Sequence, residues 1–451
     1  MEHYKIAILG AGTAGYTAAI RAAQLGLNSV IIEEDKIGGT CLNYGCIPTK
    51  SLIASSETLN IIKKSETFGI SIENASYDLQ KIIKRKNQIV DRLIKGIEFL
   101  FKKNKVVLKK GKGTLLPDKK LKINEEIISF DKLILATGSS SFIPDNLKSN
   151  SPHILTSREI LNSTDKISSL LIIGGGVIGC EFANIYHSFG TQITIAELTE
   201  HILPGIDTEI STELSKIFKK KNISVLTNTS ATTLSEEKGK IKAVFSDGSS
   251  KIFDKVLLSV GRNPNLTNIG IEHYNLTKKG KYLKVNSNYQ TSHPDIFAIG
   301  DIIGPPLLAH KASHDAVSLI EFLYDSKEIK QVNMPSAIYT HPEIGSVGTT
   351  EDELKDKGVN YKKTKFSFFP MGKAKIINET QGFVKILTHN DILIGAHIIG
   401  PHATELIPAL SVAIDNKIPL KNLSETIFAH PTISETIKET FEMALNKSIN
   451  I

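Results

Sequence analysis

The segment KIAILGAGTAGYTAAIRAAQLG at residues 5–26 determines how the chain begins to fold. Its apolar start predicts a buried parallel strand, and the residues after Gly15 predict an amphipathic helix. Between them, Gly10 permits a tight turn, Gly12 lets the backbone approach a pyrophosphate, and Gly15 lets helix and strand pack closely. The following apolar run, SVIIEE, carries Glu33, whose carboxylate can accept a hydrogen bond from a ribose hydroxyl. This order of elements predicts a Rossmann-type dinucleotide site.

The same pattern occurs a second time in SLLIIGGGVIGCEFANIYHSFGTQITIAE at residues 169–197. Gly174, Gly176 and Gly179 repeat the glycine spacing, and Glu197 follows the second strand as in the first unit. Two units in one chain predict two dinucleotide sites, most simply one for FAD and one for NAD. Glu197 favours NAD over NADP, because a carboxylate accepts from the ribose 2′-hydroxyl and repels a 2′-phosphate. A solvated strand end is the alternative role for this residue.

Two further segments are expected to complete the first sheet. KLILATGSS at 132–140 and DIFAIGDII at 295–303 each predict a strand that leads into a glycine turn. Asp301 would then hold sugar or ribityl hydroxyls, or would simply cap a helix. The patterns together predict an α/β fold with two Rossmann-like dinucleotide-binding domains. A chain of 451 residues has room for about two to four domains.

Composition argues against several classes of protein. Hydrophobic residues make up 41% and charged residues 22% of the chain, as in ordinary globular proteins. The net charge is only +7, and five of the 54 basic residues are arginines, the residues that base readers favour, so no nucleic acid partner is expected. No apolar run reaches about 18 residues, so no membrane span is expected. A strand signal by residue 5 leaves no room for a targeting peptide, so we expect a cytoplasmic protein.

The chain has three cysteines, and two of them, Cys41 and Cys46, are close together. In a reducing compartment such a pair is typical of redox chemistry or metal binding rather than of a structural disulfide. A metal site would need further ligands, and Cys180 has no histidine pair nearby to complete one, so no metal is expected. Cys180 itself is expected to be a small buried thiol.

The segment GGTCLNYGCIPTK at 38–50 carries a family resemblance. Together with GAGTAGYTAAIRAAQLG, ATGSS, GGGVIGCEFA, SVGRNPN, IFAIGDIIGPPLLAHKASHDA, YTHPEIGSVG and FAHPTISETIKE, it makes nearly the whole chain similar to the class I pyridine nucleotide–disulfide oxidoreductases, in particular the dihydrolipoamide dehydrogenases. The resemblance implies four parts: an FAD-binding domain at 1–145, an NAD-binding domain at 146–265, a central segment at 266–332 that completes the FAD site, and an α+β C-terminal dimerisation domain at 333–451.

By this resemblance, one group of residues binds or encloses FAD and a second group frames NAD. The residues expected at FAD are Gly10, Gly12, Gly15, Glu33, Thr40, Lys50, Gly113, Thr137, Gly138, Ser139, Asp301, Leu307, Leu308, Ala309 and His310. The residues expected at NAD are Gly174, Gly176, Gly179, Glu181, Glu197 and Gly261. Lys50 and Glu181 are expected to form an ion pair beside the flavin, where a cation stabilises the reduced, anionic ring.

The resemblance also implies an activity, the oxidation of protein-bound dihydrolipoamide with NAD+ as the acceptor. In this scheme Cys41 exchanges disulfides with the substrate, and Cys46 faces the flavin. His430 is the implied acid and base, and Glu435 orients its ring. The implied partners are a second copy of the chain, to form a homodimer, and the lipoyl domains and acyltransferase core of 2-oxoacid dehydrogenase complexes or the glycine cleavage H protein.

Several interpretations stay open when the residues are taken alone. Thr432 and Glu435 also fit a capping box at the start of a helix, and both roles can coexist because each needs one carboxylate oxygen. His341 is expected to be structural or interfacial, since Glu343 is the only acid near it in sequence. A glutathione-reductase-like disulfide reductase is the alternative enzyme, and a non-catalytic binding subunit is the alternative of a different class.

Overall fold

A computed structural model describes residues 1–450 of the chain. Ile451, the last residue of the expected C-terminal domain, lies outside the described residues. The strands form two sheets built around parallel strands, one antiparallel sheet near the C-terminus, and three smaller antiparallel ribbons. Within residues 1–450, no helix is both long and apolar enough to cross a membrane.

The first sheet is built around its N-terminal strand. Its strands are β1 (His3–Leu9), β2 (Ser29–Glu33), β3 (Val107–Lys110), β4 (Gly113–Leu116), β5 (Lys120–Ile123) and β6 (Glu126–Leu135). The accompanying helices are α1 (Thr13–Gln24), α2 (Gly39–Tyr44), α3 (Cys46–Lys63) and α4 (Leu79–Asn104). β1 pairs in parallel with β2 on one side and with β6 on the other. The buried face of α1 consists largely of alanines, whose small side chains let the helix lie close to the sheet.

The second sheet repeats this arrangement in the middle of the chain. Its region contains β7 (Ser139–Ser141), β8 (Ile154–Thr156), α5 (Ser157–Ile160), β9 (Ser169–Ile173), α6 (Val177–Ser188), β10 (Gln192–Ala196), α7 (Thr208–Lys220), β11 (Ser224–Leu226), β12 (Ala231–Glu237), β13 (Lys240–Phe245), β14 (Ser250–Phe253), β15 (Lys255–Leu258) and β16 (Arg262–Pro264). The five parallel strands have the order β11-β10-β9-β15-β8. Strands β12, β13 and β14 form a separate antiparallel ribbon.

The chain then returns to the first sheet. This segment contains β17 (Lys278–Lys279), β18 (Tyr282–Leu283), β19 (Ile296–Ala298) and α8 (Ala309–Tyr324). β19 pairs in parallel with β6, which confirms that both segments predicted to return join the first sheet. The strand is shorter than its apolar run, because Gly300 adopts a φ of 74° and begins a 3-10 turn at Gly300–Ile303.

The C-terminal part is an α+β domain. It contains β20 (Ser336–Ile338), β21 (Glu343–Gly348), α9 (Glu351–Asp356), β22 (Lys362–Ser367), α10 (Gly372–Ile376), β23 (Phe383–His389), β24 (Ile392–Gly400), α11 (Ala403–Asp415), α12 (Leu420–Glu425) and α13 (Glu435–Ala444). Its antiparallel sheet has the order β20-β21-β24-β23-β22. All residues of β23 but the last are buried, so the sheet is covered on both faces. The predicted fold class, two Rossmann-like domains plus an α+β domain, is confirmed.

Candidate active site

The two glycine-rich turns have the same geometry. Gly10 has a φ of 102° and Gly174 a φ of 101°, a region that residues with a side chain rarely adopt. A Cβ atom would lie 2.5 Å from the Ala136 carbonyl oxygen in the first turn and 2.5 Å from that of Ser259 in the second. Each turn therefore needs glycine, because it presses against the end of a neighbouring strand.

Each turn leads into a helix whose N-terminus suits a phosphate group. A Cβ on Gly15 or on Gly179 would overlap the carbonyl oxygen of its own turn, so glycine at these positions lets helix and strand pack closely. Gly12 and Gly176 are the N-cap residues, and no side chain among residues 1–450 caps either helix end. Backbone N–H groups at such an end favour an anion. Both turns therefore fit the pyrophosphate of a dinucleotide.

Glu33 and Glu197, the two acids predicted to bind a ribose, each accept a hydrogen bond from the glycine turn that precedes them. Glu33 accepts hydrogen bonds from the Ala11 N–H at 2.6 Å and the Asp35 N–H at 2.8 Å. Glu197 accepts from the Gly175 N–H at 2.6 Å and from the N–H and hydroxyl of Thr199, both at 2.9 Å. Each carboxylate is thus fixed beside the glycine turn that it follows in sequence, which is where a bound adenosine ribose would lie.

A polar cluster lies at the junction of the first two domains. The Ser139 hydroxyl donates to an Asp301 carboxylate oxygen at 2.5 Å, and Thr40 donates to the Ser139 carbonyl at 3.4 Å. Arg262 donates from Nε to the Ser139 hydroxyl at 2.7 Å. Burial lowers the pKa of Arg262, and the Asp301 charge partly opposes that effect. Arg262 lies in the SVGRNPN segment, but no local pattern there marks it as a site residue.

The remaining residues expected at the cofactors form three groups. Thr137 and Gly138 both form hydrogen bonds with Asn265. The Thr137 hydroxyl donates to the Asn265 carbonyl, the Asn265 side-chain amide donates to the Thr137 carbonyl, and the Asn265 N–H donates to the Gly138 carbonyl. Gly113 and Gly261 form the second group, in which the backbone itself favours glycine. Gly113 packs against Leu9 and Ile32 in the first sheet, and Gly261 has a φ of 122°. The third group precedes or begins α8 and consists of Leu307, Leu308, Ala309 and His310.

The two cysteines lie on either side of a helix break. Cys41 belongs to α2, and Cys46 begins α3 directly after Gly45. The hydrogen bond between the two thiols, together with burial, raises the pKa of Cys41. The same bond lowers the pKa of Cys46 against the effect of burial, and the positive charge of Lys50 lowers it further. Cys46 is therefore the member of the pair that is more readily a thiolate.

An ion pair crosses from the first domain to the second beside these thiols. The Lys50 Nζ lies 2.8 Å from both carboxylate oxygens of Glu181, so Glu181 of the second glycine-turn helix turns toward the thiols. The Tyr339 N–H donates to the same carboxylate at 3.0 Å, and the Lys50 Nζ lies 4.8 Å from the centre of the Tyr339 ring. Tyr339, which the sequence analysis did not single out, links the C-terminal domain to this pair.

A cavity of about 300 Å³ opens onto Cys41. Its lining is mixed: apolar side chains come from α2, α3 and α4, and polar ones include Tyr16, His310 and Ser313. His310 also lies 2.8 Å, through Nε2, from the Pro335 carbonyl. Cys41 is thus the thiol that a small substrate in this cavity would meet.

The C-terminal histidine and acid contact one another. The His430 Nδ1 lies 2.9 Å from Glu435 Oε1, and Glu435 Oε2 accepts from the Thr432 N–H at 2.8 Å. The expected capping box is only half formed, because Ser434 is the N-cap and the Thr432 hydroxyl donates to the Ala429 carbonyl. One carboxylate thus holds both the ring and the helix start. The His430 side chain is 79% exposed and does not line the cavity at Cys41 within residues 1–450.

His341 and Cys180 both lie in surroundings typical of structural residues. His341 pairs through Nε2 with Glu379 at 3.3 Å rather than with Glu343, which instead accepts hydrogen bonds from Thr404. Burial and the charges of nearby lysines lower the pKa of His341 to about 3. Cys180 is fully buried, and burial raises the pKa of its thiol. Among residues 1–450, no cluster of three metal-ligating side chains is present.

Comparison with protein-family models gives two matches. Residues 4–316 match the pyridine nucleotide-disulphide oxidoreductase model. Residues 334–441 match the dimerisation domain of pyridine nucleotide-disulphide oxidoreductases. Together the matched ranges extend over most of the chain.

Known proteins show the same likeness over full length. A dihydrolipoyl dehydrogenase of Chlamydia pneumoniae is 38% identical, with 100% of this chain and 98% of that protein aligned. One from Bacillus subtilis is 37% identical over 99% of both chains. Among solved structures, LpdA from Mycobacterium tuberculosis has a TM-score of 0.91 at 25% identity, covering 98% of this chain and 99% of that one. The flavoprotein disulfide reductase RclA from Escherichia coli shares the fold, with a TM-score of 0.88 at 24% identity.

Proposed function

The chain belongs to the pyridine nucleotide-disulphide oxidoreductase family, and from that membership we propose that it is a dihydrolipoyl dehydrogenase. Such an enzyme oxidises protein-bound dihydrolipoamide to lipoamide and reduces NAD+ to NADH, with FAD as its cofactor. The observation that carries the proposal is the asymmetric thiol pair. Cys41 faces a substrate-sized cavity, while Cys46 begins α3 within reach of the charges of the Lys50–Glu181 ion pair.

In the proposed reaction the enzyme begins with Cys41 and Cys46 joined as a disulfide. A substrate thiolate attacks the Cys41 sulfur, the bond between the cysteines breaks, and Cys46 leaves as a thiolate. The second substrate thiolate then attacks the mixed disulfide, releasing the oxidised dithiolane and leaving Cys41 reduced. The substrate has lost two electrons and two protons: the cysteine sulfurs have gained the electrons, one proton goes to His430, and the other goes to the Cys41 sulfur as it leaves the mixed disulfide. His430 accepts a proton from the substrate thiol, and Glu435 stabilises the imidazolium that results.

FAD, when bound, would pass the electron pair from the dithiol to NAD+. The chain's own part is to hold it. The first glycine turn and Glu33 would bind its adenosine half, and the cluster around Ser139 and Asp301 would hold its hydroxyl groups. The second turn and Glu197 would bind NAD. Lys50 would place a positive charge beside the ring system.

We further propose that each active site is shared between two copies of the chain. The chain carries the family's dimerisation domain, and the lining of the Cys41 cavity comes from side chains between residues 13 and 313. His430 belongs to the C-terminal domain and is exposed, so a second copy related by a two-fold axis would bring it to the cavity. Hybrid dimers of a Cys41→Ser chain with a His430→Ala chain test this. They should regain one intact site of two, and hybrids as inactive as both parents would contradict it.

The proposed protein substrates carry a lipoyl group. They are the lipoyl domains and acyltransferase core of 2-oxoacid dehydrogenase complexes, or the glycine cleavage H protein. Capture of lipoylated proteins from the same cells by the purified enzyme would distinguish these partners. The cytoplasmic location expected from the sequence stays a prediction.

The deciding experiment compares substrates on purified protein. We expect a yellow protein that reduces NAD+ with dihydrolipoamide and does so far faster than it reduces oxidised glutathione with NADPH. The reverse preference would favour the glutathione-reductase-like alternative. A colourless protein that cannot be reconstituted with FAD would favour a non-catalytic subunit.

A further inference from the structure

A side chain of the second domain covers the turn between the two cysteines. Tyr44 is the last residue of α2, three positions after Cys41 and two before Cys46. The guanidinium carbon of Arg158, from α5, lies 3.8 Å from the centre of the Tyr44 ring. At that distance the planar cation stacks on the ring face. The second domain thereby contacts the segment that sets the distance between the thiols.

One carboxylate joins both members of this stack. Asp35 Oδ2 accepts a hydrogen bond from the Tyr44 hydroxyl at 2.9 Å and another from Arg158 Nη2 at 3.2 Å. Burial, followed by the bond to Asp35, raises the pKa of Tyr44, so the phenol keeps its proton and donates. The Asp35 N–H donates to Glu33 at 2.8 Å. Arg158, Tyr44 and Asp35 form a closed set of contacts, which we call the loop clamp.

The loop clamp is anchored at both ends. Arg158 lies in a short helix whose start is fixed by a capping box between Thr156 and Glu159. Thr156 also belongs to β8, the edge strand that pairs with β15 in the second sheet. On the other side, the Asn43 side chain donates to the carbonyls of Ile37 at 3.0 Å and Gly39 at 2.9 Å. Tyr44 therefore lies between two segments that are each fixed by further hydrogen bonds.

We propose that the loop clamp is a positioning device for the reactive cysteines. By restricting the turn after Tyr44, it keeps the two sulfur atoms near one another and so favours the disulfide over the separated dithiol. The reason is effective concentration, because a looser turn lowers the chance that the second sulfur meets the first. The inference deepens the proposed function and rests on its thiol–disulfide chemistry. Arg158 is suited to this role because a lysine lacks the planar face that stacks on a ring.

The test measures the thiol–disulfide equilibrium of the FAD-loaded dimer. The protein is equilibrated without oxygen in mixtures of reduced and oxidised dithiothreitol, then quenched with acid, alkylated and weighed. As the disulfide forms, two cysteine thiols lose two electrons and two protons, and oxidised dithiothreitol takes them up to become the dithiol. We expect Arg158→Met to shift this equilibrium about three- to tenfold toward the dithiol, where tenfold corresponds to about 30 mV.

Further variants separate positioning from general destabilisation. Tyr44→Phe keeps the ring and loses the hydroxyl, so it should shift the equilibrium less than Arg158→Met. Arg158→Lys should give a thiol–disulfide equilibrium between that of Arg158→Met and that of the wild type. The combined Arg158→Met and Tyr44→Phe change should shift it by less than the product of the two single effects, as contacting residues do. Lys148→Met, which removes an exposed charge paired with Asp145, is the matched control.

Two outcomes would overturn the inference. One is an equilibrium that Arg158→Met moves no further than Lys148→Met does, in variants that retain FAD and melt at the wild-type temperature. The other is an Arg158→Lys protein whose thiol–disulfide equilibrium equals that of the wild type. Failure of the proposed function would look different: wild-type protein would not oxidise dihydrolipoamide, while the dithiothreitol equilibrium would still respond to the clamp variants.

Discussion

Two lysines each join the second domain to a neighbour, and their surroundings differ sharply. Lys50 of the first domain pairs with Glu181, and 30% of its side chain is exposed to solvent. Lys385 of the C-terminal domain is 1% exposed, lies 2.9 Å from both oxygens of Asp207, and donates to Glu351 at 2.6 Å. Asp207 is itself fully buried.

The difference shows how similar charges serve different ends. Three carboxylate oxygens surround the Lys385 ammonium, so its charge is largely compensated within this buried cluster and contributes to stability rather than to chemistry. Lys50 has one carboxylate partner, and its charge still lowers the pKa of Cys46. Changes near Lys50 should therefore alter chemistry, and changes near Lys385 should alter stability.

The largest effect is expected at the thiols beside Lys50. Cys41→Ser or Cys46→Ser should lower dihydrolipoamide oxidation by about a thousandfold or more, because a hydroxyl cannot form the disulfide. FAD should stay bound and the melting temperature should change little. Cys46→Ser should also remove the long-wavelength absorbance that a thiolate gives beside the flavin, and retention of that band would invert the two cysteine roles. Cys180→Ala is the control, because the Cys180 thiol is fully buried and donates to the Gly175 carbonyl.

The next effect tests the other side of the comparison. Lys385→Met should lower the free energy of unfolding by about 3–5 kcal/mol, because it leaves buried carboxylates without their cation. Removing those charges as well, with Asp207→Asn and Glu351→Gln, should restore part of the loss. Urea unfolding of the three proteins measures both steps. If Lys385→Met instead lowers activity at unchanged stability, the two lysines are not as different as their surroundings indicate.

Glu197 extends the comparison to a carboxylate that pairs with no lysine, arginine or histidine among residues 1–450. Glu197 is held by backbone N–H groups and a hydroxyl, so its negative charge remains to select the nucleotide. We expect kcat/KM with NAD+ to exceed that with NADP+ by about a hundredfold or more, because a 2′-phosphate would meet a like charge. Glu197→Gln should reduce the ratio of kcat/KM for NAD+ to kcat/KM for NADP+, mainly by changing KM. Comparable values for the two nucleotides in the wild-type enzyme would show that Glu197 does not select.

Local patterns predicted the parts of the fold and site that neighbouring residues determine. Gly10, Gly15 and Glu33 belong to one strand–turn–helix–strand unit, so their spacing alone indicates the turn and its acid. The second unit was predictable for the same reason. The proposed role of His430 as a base needed the family resemblance, because its only visible local feature was a helix-start pattern, and the structure forms just half of that pattern.

Contacts between distant segments could not be predicted from spacing. Arg262 reaches Ser139 and Tyr339 reaches Glu181 only after separate domains have packed together. Lys385 is a charged residue within the apolar run of the strand FVKILTH, and its same-face neighbours Phe383 and Leu387 are apolar, so the pattern does not indicate what pairs with its charge. Its burial follows from the position of Asp207 in another domain, which no periodicity within the strand can reveal.

The outer edge of the Lys385 network supplies the weakest but most specific test. Glu209 is the second residue of α7 and lies 2.6 Å from the Lys363 Nζ and 2.9 Å from the Lys365 Nζ. Burial alone would raise the pKa of Glu209, but hydrogen bonds from these two lysines and the charge of Lys385 outweigh it and lower that pKa to about 2. Because Lys363 and Lys365 are substantially exposed, their pairs with Glu209 contribute about 1 kcal/mol or less each.

The sign of the pH dependence follows from that lowered pKa. An ionised Glu209 stabilises the folded state above its ordinary pKa of 4.5, and the contribution is lost as pH falls from 4.5 toward 2. Wild-type protein should thus exceed Glu209→Gln in stability at neutral pH, and the gap should close as the solution is acidified through that window. Glu213→Gln is the matched control. Glu213 lies on the same helix, but its contact with the exposed Lys216 is longer, at 3.7 Å. Urea unfolding across the window measures the gap, and a gap that stays constant or widens in acid would mean that Glu209 is not the group whose ionisation supports this edge of the network.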